Sequence, residues 1–207
     1  MSDNIKNTVS SYYTNKLKVF GTTPQGVDWN SAESQSMRFE QLVKILPHDK
    51  TASFSVLDYG CGYGAMYSFL QHQYPNMKFI GFDISEEMIN ECKKLYSGSA
   101  TQWYHQEKDI RQVDYVAASG IFNVRMDFSK EDWLAYILKT LHTIDSLASK
   151  GFSFNVLTAY SDKAYMKENL FYAEPAVLFD YCKTNFSKYV ALLHDYPLYE
   201  FSILVKK

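Results

Sequence analysis

Cysteine is scarce in this chain of 207 residues, which contains only Cys61, Cys92 and Cys182. The three are widely spaced and form no CxxC pair, so the sequence predicts neither a disulfide framework nor a zinc site. No cluster of histidine, aspartate and glutamate has the spacing of metal ligands. We therefore expect the protein to work without a metal ion.

Positive charge is not in excess either. The formal net charge is −2, the pI is about 6.2, and no basic run supplies the face that non-specific binding to nucleic acid or an anionic membrane needs. The first residues lack an apolar signal region, and no stretch approaches the roughly 20 apolar residues of a membrane span. We expect a cytoplasmic protein without nucleic-acid or membrane partners.

Repeats and low-complexity segments are missing as well, and aromatic residues are what the chain has in abundance. They make up 16% of the sequence, with 17 tyrosines and 14 phenylalanines. Hydrophobic residues at 46% and charged residues at 21% are ordinary for one folded domain. Tyrosines in loops also line pockets for flat or hydroxylated ligands. For any single aromatic residue, however, a position in the hydrophobic core is the simpler interpretation.

Apolar runs alternate with helical spacing along most of the chain. The runs predict strands at 54–60, 78–85, 114–124 and 151–160, and a closing pair of strands within 189–207. The helical stretches are 65–74, 86–95 (with Ser85 as N-cap), 130–149 and 175–186. This alternation predicts an α/β fold with a mainly parallel sheet, to which the closing hairpin adds one antiparallel strand.

The leading part of the chain follows a different pattern. Residues 1–30 are polar and aromatic, with a loop signal at 21–26, and a helical spacing runs from Ser31 until Pro47 ends it. We expect residues 1–46 to form an N-terminal helical or cap segment over the active site. Residues 47–207 are expected to form a single globular catalytic domain.

The most specific motif is VLDYGCGYGAM, residues 56–66, where glycines follow a predicted strand. Gly60-x-Gly62-x-x-Ala65 formally matches a dinucleotide-binding turn, with Asp83 available for a ribose. Asp58 favours another ligand, because its carboxylate would repel a pyrophosphate and attract an ammonium group.

Asp58-x-Gly60-x-Gly62-x-Gly64, followed by Asp83 at the end of a second strand, resembles the cofactor site of class I S-adenosylmethionine (SAM)-dependent methyltransferases. The resemblance extends over roughly residues 40–207. It implies a Rossmann-like, seven-stranded and mostly parallel sheet with helices on both faces, an antiparallel C-terminal hairpin, and SAM as the cofactor.

The resemblance also implies a role for each matching residue. Asp58 orients the amino group of the cofactor, Gly60, Cys61 and Gly62 follow its methionine part, and Asp83 accepts hydrogen bonds from both ribose hydroxyls. The remaining assignments are Ile84 and Met88 against the adenine, Glu107 or Asp109 for the adenine amino group, and Ser119 and Gly120 beside the transferred methyl.

Segments outside the motif are candidates for the methyl acceptor. Trp29 lies just before the helical stretch that starts at Ser31, and Arg38 lies within it. Neither residue is needed for the apolar face of that helix. Tyr160 and Tyr172 lie in a loop, 158–175, that is long enough to be a lid. Phe122 follows Ser119 and Gly120, and it is equally explained as a core residue.

His194 and Asp195 are the candidates for catalysis. If the strand before them is parallel to its neighbours, their turn lies on the same edge of the sheet as the cofactor, where His194 could act as general base. The alternative is an ordinary histidine in a surface turn.

The acceptor itself is constrained mainly by a missing motif. The NPPY-like signature of methyltransferases for adenine or amide nitrogen is replaced by SGIF at 119–122. We expect methyl transfer to a small polar acceptor, an oxygen of a sugar, a sugar nucleotide or a similar metabolite. The alternatives are a nitrogen or carboxyl acceptor, an NAD-type oxidoreductase, and a methyltransferase-like domain that binds without turnover.

Overall fold

A sheet of seven strands carries the fold in this computed structural model, which describes residues 2–207 and the side chains from Asn4 onward. Its order is β3-β2-β1-β4-β5-β7-β6. In chain order the strands are β1 (Phe54–Tyr59), β2 (Met77–Phe82), β3 (Gln102–Tyr104), β4 (Val113–Ala118), β5 (Ala148–Leu157), β6 (Tyr189–Leu193) and β7 (Glu200–Lys206). The helices are α1 (Ser2–Phe20), α2 (Ala32–Leu42), α3 (Ala65–Leu70), α4 (Glu86–Leu95), α5 (Lys130–Leu147) and α6 (Pro175–Asn185).

Strand β1 lies between β2 and β4 and pairs with both in parallel. All of its residues except Ser55 are buried, as expected for a strand with helices on both faces. The chain runs from β1 to β2 on one side and later enters β4 on the other, so the strand order reverses at β1. Ligands of such sheets bind beyond the carboxyl ends of the strands at this reversal.

Two apolar cores cover the two faces of the sheet, because alternate strand residues point to opposite sides. Helices α1, α5 and α6 pack on one face, around Trp133, Phe152 and Phe154. On the other face lie α2, α3 and α4, around Leu42 and Phe79. Since β7 is antiparallel to both β5 and β6, the predicted fold class is confirmed.

The predicted helices and strands are found with small shifts at their ends. Helix α4 has the predicted bounds, and the Ser85 hydroxyl accepts a hydrogen bond from the Met88 N–H as its N-cap. The predicted strand at 114–124 ends at Ala118, because Gly120 turns the chain with φ of +72°. Strand β3 was not predicted, since three residues are too short to show a periodic pattern.

Helix α1 is the largest element that was not predicted. Ile5, Val9 and Leu17 are buried at helical spacing, and Ile5 and Val9 join the same core as Trp133. The Thr14 hydroxyl lies 2.8 Å from the hydroxyl of Ser85 at the start of α4. Residues of α1 therefore share one core with the sheet. The division of the chain into a cap segment, 1–46, and a catalytic domain, 47–207, stays a prediction; residue 1 lies outside the described part.

The long segment after β5 is tied down rather than free. The Phe171 N–H donates to the Asn123 carbonyl at 2.8 Å, and the Arg125 guanidinium donates to the Glu168 carbonyl at 2.5 Å. This loop therefore packs against the loop that follows β4. Among residues 2–207, none of the helices has the length and apolar character needed to cross a membrane.

The docking of α1 can be measured by truncating Ile5. Ile5→Ala is expected to lower the free energy of unfolding by about 2–4 kcal/mol, because it opens a cavity in the core. Urea denaturation measures the change. Val19→Ala on the same helix is the control, since Val19 is 72% exposed and its truncation is expected to cost less than about 0.5 kcal/mol. Equal stability of Ile5→Ala and the unmodified chain would contradict the docking.

Candidate active site

Three strand ends meet at the point where the strand order reverses. In the parallel register, Asp58 on β1 lies opposite Gly81 on β2 and Ala117 on β4. Asp83 follows β2 directly, and Ser119 and Gly120 follow β4. The pairing of these strands thus brings residues that are far apart in the sequence to one edge of the sheet.

Four backbone N–H groups of the glycine turn after β1 donate hydrogen bonds within the protein. Gly60 and Cys61 donate to the Phe82 carbonyl at 2.7 and 2.9 Å. The Gly62 N–H donates to Asp83 Oδ2 at 2.9 Å, and the Gly64 N–H donates to the Cys61 carbonyl. A turn that binds a pyrophosphate must point such groups at the ligand. These four groups are not available for that purpose.

Close packing explains why the turn needs glycine. Gly60 and Gly62 have φ of +86° and +52°. A Cβ at Gly60 would lie 2.2 Å from Cγ2 of Ile121, and one at Gly62 would lie 2.8 Å from Cγ1 of Val27. The third glycine has a different surrounding, because a Cβ at Gly64 would meet the rings of Tyr96 and Trp103 behind the turn.

Two carboxyl groups dominate the electrostatics of this edge. Asp58 is 2% exposed, and burial together with the charge of Asp83 raises its pKa to about 8. None of the described residues donates a hydrogen bond to its side chain. Burial also raises the pKa of Asp83, against the lowering effect of hydrogen bonds from the Ser85 and Gly62 N–H groups. Such a pair attracts a cation and repels a phosphate.

A cleft of about 880 Å³, its open mouth included, lies in front of these strand ends. Except for Glu107 and Asp109, the predicted cofactor residues all line it: Asp58, Gly60, Cys61, Gly62, Asp83, Ile84, Met88, Ser119 and Gly120. The Ser119 hydroxyl is buried without a hydrogen-bond partner among the described residues. The cleft thus offers an unpaired carboxyl group and an unpaired hydroxyl, as a polar ligand such as SAM needs.

The choice between Glu107 and Asp109 stays open. Neither side chain lines the cleft. Glu107 accepts a hydrogen bond from the Tyr59 hydroxyl and forms an ion pair of 3.2 Å with Lys6 on α1, while Asp109 is exposed. Because Tyr59 and Lys6 do line the cleft, Glu107 reaches it through its partners.

A second cavity of about 1810 Å³, its mouth included, opens next to the cleft. The two share Tyr13, Val27, Trp29 and Gly120. Aromatic and polar side chains dominate the second cavity, and they include Tyr12, Tyr13, Phe20, Trp29, Arg38, Asn123, Tyr165, Lys167, Tyr172, Tyr199 and Glu200.

Of the residues predicted to contact the acceptor, three line a cavity and two do not. Trp29 lines both cavities, and Arg38 and Tyr172 line the second one. Phe122 is fully buried and lines neither, since it packs against Phe154 at 5.9 Å between ring centroids. Tyr160 is 74% exposed and also lies outside both.

His194 and Asp195 are not brought to either cavity. Strand β6 is parallel to β1, so both residues lie on the expected edge of the sheet, where they are exposed. However, β6 is the last strand in the order. Four strand spacings of about 4.8 Å separate it from β1, a distance of roughly 19 Å. The direction of the strand was predictable, and its place in the sheet was not.

Several cleft residues were missed because their segment was not recognised as a helix. Lys6, Val9 and Tyr13 of α1 line the cleft. Tyr136 lines it too, although it belongs to α5, a helix that was predicted. The spacing of Ile5, Val9, Tyr13 and Leu17, four residues apart each time, is the signal that could have revealed them. Within residues 2–207, the structure contains no group of three His, Cys, Asp or Glu side chains arranged to hold a metal ion.

Comparison with known proteins agrees with this site. A family model described as a methyltransferase domain matches residues 56–144. A protein of Mycobacterium tuberculosis strain H37Rv, named "Putative methyltransferase Rv1506c", is 46% identical over 155 residues, which are 74% of this chain and 93% of that protein.

Solved structures share the fold at low identity. The complex of DhpI with S-adenosylhomocysteine (SAH) has a TM-score of 0.68 at 15% identity and covers 100% of this chain and 98% of its own. Magnesium protoporphyrin IX methyltransferase (ChlM) of Synechocystis PCC 6803, with bound SAM, has a TM-score of 0.64 at 17% identity and covers 98% and 97%. The chain therefore belongs to the class I SAM-dependent methyltransferases, enzymes that use S-adenosylmethionine as the methyl donor.

Proposed function

We propose that this methyltransferase transfers the methyl group to a hydroxyl oxygen of a sugar or a similar small polar metabolite. One observation carries the proposal: a cavity rich in tyrosines and amides borders the cofactor cleft at Trp29 and Gly120. Aromatic rings beside hydrogen-bonding groups suit a ligand with flat apolar faces and a hydroxylated rim.

The cofactor roles of the strand-end residues are part of this proposal. Asp58 pairs with the ammonium group of SAM, and this is supported by its burial without a protein donor. Asp83 accepts the ribose hydroxyls through the lone pairs left by its bonds to Gly62 and Ser85. Ile84 and Met88 pack against the adenine, Gly60, Cys61 and Gly62 follow the methionine chain, and Ser119 and Gly120 adjoin the methyl group.

Positioning is the main task of this chain, because bound SAM already supplies an activated methyl group on a sulfonium. Trp29 and Gly120 lie where the two cavities meet, so an acceptor in the second cavity approaches the cofactor there. Arg38 and Tyr172 contribute to the walls of the acceptor cavity.

Two of the three cations that line the acceptor cavity are paired with carboxylates, and the third, Lys167, is exposed. Lys16 pairs with Asp28 at 2.6 Å, and Arg38 pairs with Glu200 at 2.5 Å. These two cations are therefore already compensated and would not be free for an acidic acceptor. An acceptor that carried a carboxylate would gain more from an unpaired buried cation.

Asp28 is the group that we propose as the proton acceptor for the hydroxyl. It lines the acceptor cavity next to Trp29 in the sequence, and its Oδ2 is buried without a partner among the described residues. Its backbone has φ of +62°, a conformation uncommon outside glycine and asparagine or aspartate. His194 and Asp195 lie outside both cavities, and so we assign them no part in the reaction.

The acceptor can be identified with methyl-labelled SAM. Incubation with cell extract and with a set of sugars and nucleotide sugars is expected to yield labelled small molecules, whose label resists mild alkali because it is a methyl ether. Asp83→Ala is the matched inactive control. Label in protein or nucleic acid, or label released by alkali as methanol from an ester, would contradict the proposal.

Once an acceptor is known, two variants test the proton acceptor. Asp28→Asn is expected to lower kcat by about 10²-fold or more, because a general base contributes that much to such a step. His194→Ala is expected to leave kcat unchanged within about twofold, since surface positions away from the site have little effect. The opposite order of the two effects would return the role to His194.

The pairing of Asp58 with the ammonium group predicts proton release. With a pKa of about 8, Asp58 is mostly protonated at pH 7 in the free protein, and a bound ammonium group favours its carboxylate. SAH binding is therefore expected to release close to one proton at pH 7, measured by calorimetry in buffers of different ionisation enthalpy. Asp58→Asn is expected to release almost none and to bind SAH about 10–100-fold more weakly. The same proton release in both proteins would overturn the assignment.

A further inference from the structure

A buried chain of hydrogen bonds runs from α2 to the loop after β4. Glu200, 1% exposed, accepts hydrogen bonds on Oε1 from Nε and Nη2 of Arg38 at 2.8 and 2.5 Å. On Oε2 it accepts one from the side-chain amide of Asn155. The other end of that amide, Oδ1, accepts the Gly120 N–H at 2.8 Å. Arg38 is thus connected to the backbone beside the cofactor cleft.

Trp29 closes this chain into a ring. The guanidinium carbon of Arg38 lies 3.9 Å from the centroid of the Trp29 ring, a stacked cation–π arrangement. The far edge of the same indole lies on Gly120, where an added Cβ would be 2.2 Å from Cη2 and 2.3 Å from Cζ2 of Trp29. The indole is therefore held between Arg38 and Gly120.

No hydrogen bond from a described residue fixes the orientation of the indole. Its Nε1 donates no hydrogen bond to a described residue, and the Trp29 backbone is held by one bond to the Pro24 carbonyl at 2.9 Å. The segment that carries Trp29 lies outside the regular elements, between α1 and α2. The ring of contacts thus supplies the orientation that the local backbone does not.

The composition of the ring argues for a role beyond stability. Burying Arg38, Asn155 and Glu200 carries a desolvation cost, and apolar side chains of similar volume would often stabilise a fold as well. A buried ion pair is better explained where a single geometry is needed. Here the geometry concerns the indole that lines both cavities.

We infer that Arg38, Glu200 and Asn155 are positioning residues that hold Trp29 against Gly120 as the wall between the cofactor cleft and the acceptor cavity. In naming the acceptor side, the inference rests on the proposed function. Arg38, which lines the acceptor cavity, acts on the acceptor through Trp29, and the ring links the wall to the loop that borders the methyl group. An acceptor that moves Trp29 then also moves the backbone at Gly120.

Acrylamide quenching of tryptophan fluorescence tests the inference without any acceptor. The chain has three tryptophans, of which Trp103 and Trp133 are 8% and 0% exposed, so the difference from Trp29→Phe isolates the signal of Trp29. In Arg38→Lys the charge toward Glu200 is kept, while the flat guanidinium over the indole is lost. We expect the quenching of Trp29 to rise roughly two- to fivefold. Loss of one stacked cation changes the ratio of exposed to packed indole by about this factor.

Two further variants complete the test. Arg111→Lys, the same exchange at an exposed arginine, is expected to quench like the unmodified protein. Arg38→Met combined with Glu200→Gln removes both charges and leaves no unpaired ion, which protects folding, and it is expected to expose Trp29 at least as much as Arg38→Lys. Thermal unfolding of each variant is recorded beside the quenching.

The outcomes separate this inference from the proposed function. Variants that unfold at lower temperature but quench like the unmodified protein would show that the ring serves stability alone, and would overturn the inference. A rise in quenching in the Arg38 variants supports it, whatever acceptor is found. If the acceptor proves not to be a hydroxyl compound, the proposed function fails while the quenching result stands.

Discussion

The parallel pairing of β1 with β2 and β4 is the constraint on which the rest of the molecule depends. It aligns Asp58 with Gly81 and Ala117, and so the residues that follow the three strands meet at one edge. The hydrogen bonds from Gly60 and Cys61 to the Phe82 carbonyl then fold the glycine turn across β2, and Asp83 anchors it through Gly62. A shift in this register would separate the two carboxyl groups.

Electrostatics distinguishes this cleft from a phosphate-binding turn more sharply than its glycines do. A phosphate site needs free N–H groups and no nearby anion, whereas here four N–H groups of the turn are used internally and two acidic side chains line the cleft. The high pKa of Asp58 has the same origin as its proposed role, since a buried carboxyl group without a protein donor is stabilised as an anion only by a cationic ligand. Binding and ionisation are therefore linked at this residue.

Elements with strong local signals were predictable from the sequence. Helix α4 has its N-cap serine and acidic first turn, and the apolar runs of β1 and β2 end at their aspartates. Helix α1 was missed because polar and aromatic residues obscure its apolar positions, and β3 because it is too short for periodicity. Phe122 shows a different limit of prediction from sequence. It lies two residues after Gly120, a predicted cofactor residue, yet the turn at Gly120 directs it into the core, where its carbonyl accepts a hydrogen bond from Trp133.

The sequence by itself determined the fold class, most of the order of strands and helices along the chain, and the strand-end residues of the cofactor cleft, because each of these follows from local periodicity or from a short contiguous motif. The order of strands in space was decided only by tertiary packing, and with it the distance that separates His194 from the cleft. Tertiary packing also decided that Arg38, Asn155, Glu200 and Gly120 form one ring with Trp29. Contacts between residues far apart in the sequence, such as Arg38 and Glu200 at 162 positions, leave no periodic trace in a single sequence, since they depend on how whole elements pack.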